Sequence, residues 1–145
     1  MKIEHLPATK VVYFRRVGTY GVENMVLMQS FKQWIKTEGL FQGSTILGIA
    51  LDNPQIIHAK NCRYDVCLIT DKTSFKNSVQ QRTLTAGNYA VFKLAHTEKV
   101  INEFYTNITK TINKDQLKVL NRPIIERYQQ KFIDNGYCEI LIPVK

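Results

Sequence analysis

The stretch Pro123-Ile124-Ile125-Glu126-Arg127-Tyr128 sets an acid between an isoleucine and a tyrosine at alternate positions. Read as a strand, its side chains alternate between faces, so Ile124, Glu126 and Tyr128 share one face and Ile125 and Arg127 the other. A carboxylate turned toward an apolar interior is costly unless something pairs with it, and loss of water raises its pKa. A cationic ligand group would reverse that penalty. The competing reading is a solvated edge-strand glutamate, or one paired with an arginine of the chain such as Arg82 or Arg16. Strand alternation alone leaves both readings open.

Other chemistry is sparse. Aromatic residues are spread over strand-like and helix-like segments, most of them as core, with a few available to line a pocket. An aromatic wall with one acid is a way to recognise a cation. The three histidines, His5, His58 and His96, stand apart without metal-ligand spacing and read as surface or loop residues. Cys62, Cys67 and Cys138 are an odd number, a poor disulfide framework. Cys67 and Cys138 lie in apolar runs and read as small buried hydrophobes, whereas Cys62, beside Lys60 and Arg63, is a candidate low-pKa thiol. The glycines match neither a phosphate-binding loop nor a dinucleotide fingerprint, and no nucleophile elbow, helix-turn-helix or zinc-finger pattern is present. The sequence therefore predicts no metal and no cofactor.

The elements that must position Glu126 follow from periodicity. The chain has 145 residues, 44% apolar and 22% charged, which fits one self-sufficient domain, residues 1–145. No run approaches the roughly 18 apolar residues of a membrane span, and Met1-Lys2-Ile3-Glu4-His5 leads straight into a strand-like segment without a signal core. The expectation is a cytoplasmic protein with no membrane partner. The net charge of +8 comes from basic residues scattered along the chain, which reads as a solvated surface without specific nucleic-acid binding.

Residues 9–17 read as a strand, and 22–38 as a helix with Met28, Phe31 and Ile35 on its apolar stripe and Gly39 as its stop. Strands follow over 44–51 and 64–70, closing a first repeat over about 9–70. A connecting strand covers 79–85. The second repeat, about 89–144, has a strand over 89–95 and a helix capped near His96 or Thr97, carrying Ile101, Phe104, Tyr105, Ile108 and Ile112 on one face. Strands from Pro123 to about Tyr128 and from Tyr137 to Val144 complete it. Val12-Tyr13-Phe14-Arg15 is echoed by Ala90-Val91-Phe92-Lys93 at an offset of 78. The predicted fold is α+β: two strand–helix–strand–strand repeats forming a curved antiparallel sheet, two main helices packed on one face, and a ligand cleft between the repeats.

With the elements in this order, the sequence resembles the GyrI-like small-molecule-binding domains, related to the DNA gyrase inhibitor protein and to the effector-binding domains of AraC- and MerR-type transcription regulators. The resemblance rests on Phe14-Arg15-Arg16-Val17-Gly18-Thr19-Tyr20, Gln33-Trp34-Ile35, Gly48 to Pro54, Arg63 to Cys67, Leu84 to Phe92, Pro123 to Tyr128 and Ile140-Leu141-Ile142-Pro143-Val144, in family order over nearly the whole chain. Asn88, where a second glycine is common, and Lys93-Leu94-Ala95-His96, without the usual glycine turn, depart from the pattern. The resemblance implies that Glu126 sits at the centre of a pocket that in regulator relatives meets cationic, aromatic drugs. Regulator relatives carry an attached DNA-binding domain, for which these 145 residues leave no room.

The leading expectation is thus a standalone protein holding an amphipathic cation on Glu126, with Tyr128, Tyr89, Trp34 and Tyr64 as the wall. The resemblance implies two alternatives: inhibition of DNA gyrase through a protein contact, and hydrolysis of small electrophiles with Glu126 and Tyr128 as the catalytic pair.

Overall fold

The computed structural model describes residues 1–145. Eight strands form one antiparallel sheet: β1 (Lys2–Leu6), β2 (Thr9–Val17), β3 (Thr45–Ala50), β4 (Arg63–Ile69), β5 (Gln80–Leu84), β6 (Gly87–Ala95), β7 (Ile125–Gln129) and β8 (Tyr137–Val144). Their order across the sheet is β1-β6-β8-β7-β3-β4-β2-β5. The helices are α1 (Val22–Thr37), α2 (Glu98–Thr106), α3 (Ile108–Lys114) and α4 (Gln130–Ile133).

The tandem repeat is borne out, and the two repeats meet where β3 pairs with β7 at the middle of the sheet. The offset of 78 runs through whole strands of the two repeats. From β1 to β5 the first residue moves from 2 to 80, and from β2 to β6 from 9 to 87. The registers move with it: Lys2 pairs with Val91 and Leu6 with Gly87, while Gln80 pairs with Tyr13 and Leu84 with Thr9. Each repeat thus begins with a strand that crosses over and closes the far edge of the other repeat. The segment expected as a connecting strand, 79–85, is one of these arms, and β1 is its counterpart.

Alternation along the strands builds a core on each face. On one face Phe31, Trp34 and Ile35 of α1 bury against Val12, Val66 and Leu68. Phe104, Ile108 and Ile112 of α2 and α3 pack on Ala90, Ile142 and Val144. On the other face Val11 and Tyr13 of β2 join one cluster with Tyr89 and Val91 of β6. Those strands are far apart in sheet order, so the sheet must curl around this second core into a half-barrel.

Local chemistry explains the helix ends. Gly39 has a φ of 72°, the left-handed conformation that stops α1. Thr97 accepts from the Val100 N–H and starts α2. The second helix differs from expectation, because it is broken at Asn107, the last cap of α2 and the first of α3. There the Thr106 hydroxyl and the Asn107 amide turn back to the carbonyls of Asn102 and Glu103, competing with the helical ladder. The short α4, between β7 and β8, carries no sequence signal of its own.

The inner face of the half-barrel also buries charge. Asp65 is fully buried and accepts from Arg15 Nε at 2.6 Å, Arg15 Nη2 at 2.9 Å and Arg82 Nη2 at 2.8 Å. Glu139 accepts from Arg127 Nε and Nη2, both at 2.9 Å, and Arg127 Nη1 reaches Glu4 at 2.7 Å. The Arg127–Glu139 pair is shut off from solvent on both sides, with side chains 8% and 3% exposed. Removing one partner of such a pair leaves a buried charge uncompensated. Glu139→Ala is expected to destabilise the fold by about 3–5 kcal/mol in urea unfolding. Asp65→Ala is expected to cost less, because Arg15 and Arg82 keep 29% and 27% exposure and can turn to water.

Candidate functional site

A cavity of about 530 Å³ lies on the helical face between α1 and α2, over the β3–β7 joint. Glu126 is at its floor, with Tyr128 and Tyr64 beside it. β7 presents Glu126 and Tyr128 to the helical side while Ile125 joins the core on the other face, so the alternation expected from sequence holds. Glu126 stands opposite Gly48 in the β3–β7 register. The absence of a side chain at Gly48 opens the floor. A Cβ there would lie 2.5 Å from the Tyr64 hydroxyl and 3.7 Å from Glu126 Oε1.

Glu126 takes one hydrogen bond from the chain, donated by the Tyr128 hydroxyl at 3.2 Å. None of the salt bridges includes it. The arginines weighed as its partners are engaged elsewhere: Arg82 with Asp65, and Arg16 with the Thr19 carbonyl and Asn24. Burial pushes the Glu126 carboxyl above its ordinary value, and the Tyr128 hydrogen bond opposes this only in part. Burial and the Glu126 charge raise the phenols of Tyr128 and Tyr64, so both remain hydroxyl donors. The floor is a partly desolvated carboxylate between two tyrosines.

Of the residues singled out from sequence, the structure brings Glu126, Tyr128 and Tyr64 together and leaves two apart. Trp34 packs behind the cavity, with its ring 5.8 Å from Phe31 and 5.4 Å from Phe75, and its indole N–H has no partner. Tyr89 is on the opposite face of the sheet, in the core of the half-barrel. The cavity instead takes Met28 and Phe41 as apolar wall and Lys32, Glu98 and His96 as charged or titratable lining.

His96, read from sequence as a loop residue outside any site, is exposed but stands at the cavity with its ring 5.5 Å from that of Tyr128. Partial loss of water and the charge of Lys32 push its imidazole below the ordinary value. Its position between β6 and the α2 cap was the one available signal, because that junction faces the cleft. Cys62 does not keep the exposure a reactive thiol needs: it is buried, with its thiol turned to the carbonyls of Ile57 and His58. Cys67 and Cys138 are buried, and burial raises their thiols to about 12 and about 11. No helix is long and apolar enough to cross a membrane.

The arrangement matches known proteins along its whole length. YosT of Bacillus subtilis (strain 168), derived from the SPbeta prophage and named as a proposed transcriptional regulator, is 43% identical over 145 residues, covering 99% of this chain and 97% of YosT. Among solved structures, SAV2435 bound to tetraphenylphosphonium superposes with a TM-score of 0.69 at 19% identity, over 99% of this chain and 93% of SAV2435. The C-terminal domain of EcmrR superposes with a TM-score of 0.73 at 16% identity, over 99% and 96%. In a complex of EcmrR with DNA, the same likeness spans 56% of the EcmrR chain. The model of the GyrI-like small molecule binding domain matches residues 1–145, and the chain belongs to that family.

Proposed function

We propose that the cleft holds an amphipathic organic cation, with Glu126 as its counter-charge and Tyr128, Tyr64 and Phe41 as its aromatic wall. The observation that carries this reading is the state of Glu126: a carboxylate at the floor of a cavity, with one phenol and no cation of the chain for a partner. A buried charge without a partner raises the free energy of the empty protein, and a cation entering the cleft removes that cost. The cavity volume is within the range of sites for drug-sized ligands, roughly 300–1,000 Å³. Aromatic faces attract a cation that has lost part of its water. The ligand of SAV2435, tetraphenylphosphonium, is a bulky apolar cation of this class. The name of YosT and the DNA complex of EcmrR support a place in transcription control, in which the cleft is the sensing element.

Glu126→Gln keeps size and the hydrogen bond to Tyr128 but removes the charge. Calorimetry with tetraphenylphosphonium is expected to show affinity reduced by at least about tenfold. Equal affinity would overturn the reading. The same substitution is expected to raise the melting temperature of the ligand-free protein by roughly 2–4 °C for each kcal/mol recovered. The sign follows from linkage: a carboxyl with a raised folded-state pKa binds protons more tightly folded than unfolded, so its ionisation lowers stability as pH rises through that value. The neutral amide removes this loss at neutral pH.

Affinity for tetraphenylphosphonium, which has no proton of its own, is expected to fall as pH drops from about 8 to 4, because protonation of Glu126 removes the anchor. The midpoint should lie above the ordinary carboxyl value of 4.5. His96 gains charge over part of the same range, so His96→Gln is the control, and the loss of affinity should persist in it.

A further inference from the structure

A second, smaller cavity of about 150 Å³ opens on the opposite face of the sheet, at the open side of the half-barrel. Its walls are mostly apolar, from Ile49, Leu84, Pro123 and Ile125. Two guanidinium groups enter it, Arg82 from β5 and Arg122 from the segment ahead of β7. We propose that this cavity binds a small organic carboxylate, its apolar body against the aliphatic wall and its charge between Arg82 and Arg122.

This cavity is the converse of the Glu126 cleft, with cations in place of the acid. Arg122 is half-buried and forms no salt bridge. Of its five N–H groups one makes a long bond, from Nη1 to the Ala86 carbonyl at 3.4 Å, and its Nε is buried without a partner. Arg82 gives Nη2 to Asp65, a carboxylate that also serves Arg15, and its own Nε is likewise buried and unpartnered. Two cations therefore share Asp65, and a third stands nearby with none. Glu4, which faces Tyr89 in the β1–β6 register, is held by Arg127 and Lys2. The chain offers this cavity positive charge and donors without an acceptor to match.

The Arg122 guanidinium is also held in place. It lies 5.6 Å from the centre of the Tyr89 ring, and it fills the space over Gly87, where a Cβ would come under 3.0 Å from three of its atoms. A planar fork fixed this way suits a carboxylate, which accepts two parallel bonds. The aliphatic lining favours an anion with an apolar body over a fully hydrated one, and the volume limits that body to about one ring or a short chain.

The test is calorimetry and amide-shift mapping with benzoate, with inorganic phosphate as the probe for charge alone, on the whole chain. Benzoate is expected to bind at least about tenfold more tightly than phosphate, with the largest shifts over 84–89 and 122–125. Arg122→Gln should weaken benzoate by at least about tenfold while leaving tetraphenylphosphonium affinity unchanged, and Glu126→Gln should leave benzoate unchanged. That crossed pattern separates this site from the cation cleft, so the failure of either leaves the other standing. Phosphate binding as tight as benzoate would overturn the apolar-body assignment. Absence of benzoate binding, shifts centred on Glu126, or equal affinity in Arg122→Gln would overturn the site. If the variant does not fold, the shift map of the natural chain decides alone.

Discussion

β3 and β7 pair from Thr45↔Gln129 to Ile49↔Ile125, and the site depends on that register. Side chains alternate with a period of two, so a slip of one residue would turn Glu126 and Tyr128 into the half-barrel core and bring Ile125 and Arg127 out under the helices. The same pairing sets Gly48 opposite Glu126, where the missing side chain makes room for the Tyr64 hydroxyl. It also joins the two repeats. Because each repeat lends its first strand to the far edge of the other, the joint and both edges must form together for the sheet to close.

The pairing of buried charge separates the groups that the chain satisfies from those that it does not. Asp65 is held by Arg15 and Arg82, Glu139 by Arg127 and Gln129, and Glu38 by the backbone N–H groups of Lys76 and Asn77. Each has its acceptor capacity met by the chain, as buried polar groups generally do. Glu126 on the helical face and Arg122 on the other do not. Departures from local optimality that the rest of the fold must carry tend to mark sites. Here the two departures have opposite sign and lie on opposite faces, which is why the two proposed ligands carry opposite charge.

Proteins of the same fold keep it while most of the sequence differs. SAV2435 and the EcmrR domain share 19% and 16% of residues with this chain, yet cover 99% of it. A sheet joined at its centre by backbone hydrogen bonds, with helices resting on apolar side chains, tolerates such exchange if the alternation and volumes are kept. The wall of the cleft comes from helix flanks and loop ends, Met28, Phe41, His96 and Glu98 among them. These positions can change without disturbing the sheet.

Local pattern was enough to place most strands and the first helix, because strand alternation, helical period and glycine stops act over a few neighbouring residues. The strand at 9–17, the last strand from Tyr137 to Val144 and the stop at Gly39 were legible for that reason. So was the parity of β7, which puts Glu126 with Tyr128 and apart from Ile125. The crossing of β1 and β5 was not legible, since Lys2 finds Val91 and Gln80 finds Tyr13 far along the chain, beyond the reach of any local pattern. Nor was the break at Asn107, where side-chain bonds compete with the helical ladder.

Parity says which residues share a face but not which face the helices cover. Tyr89 and Tyr64 looked equivalent as strand tyrosines, and only the curl of the sheet sent one into the half-barrel and the other under the cleft. The acid at 126 was thus marked by the sequence as out of place. That none of the chain's own cations reaches it was decided by the tertiary structure, which committed Arg82 to Asp65 and Arg16 to Asn24.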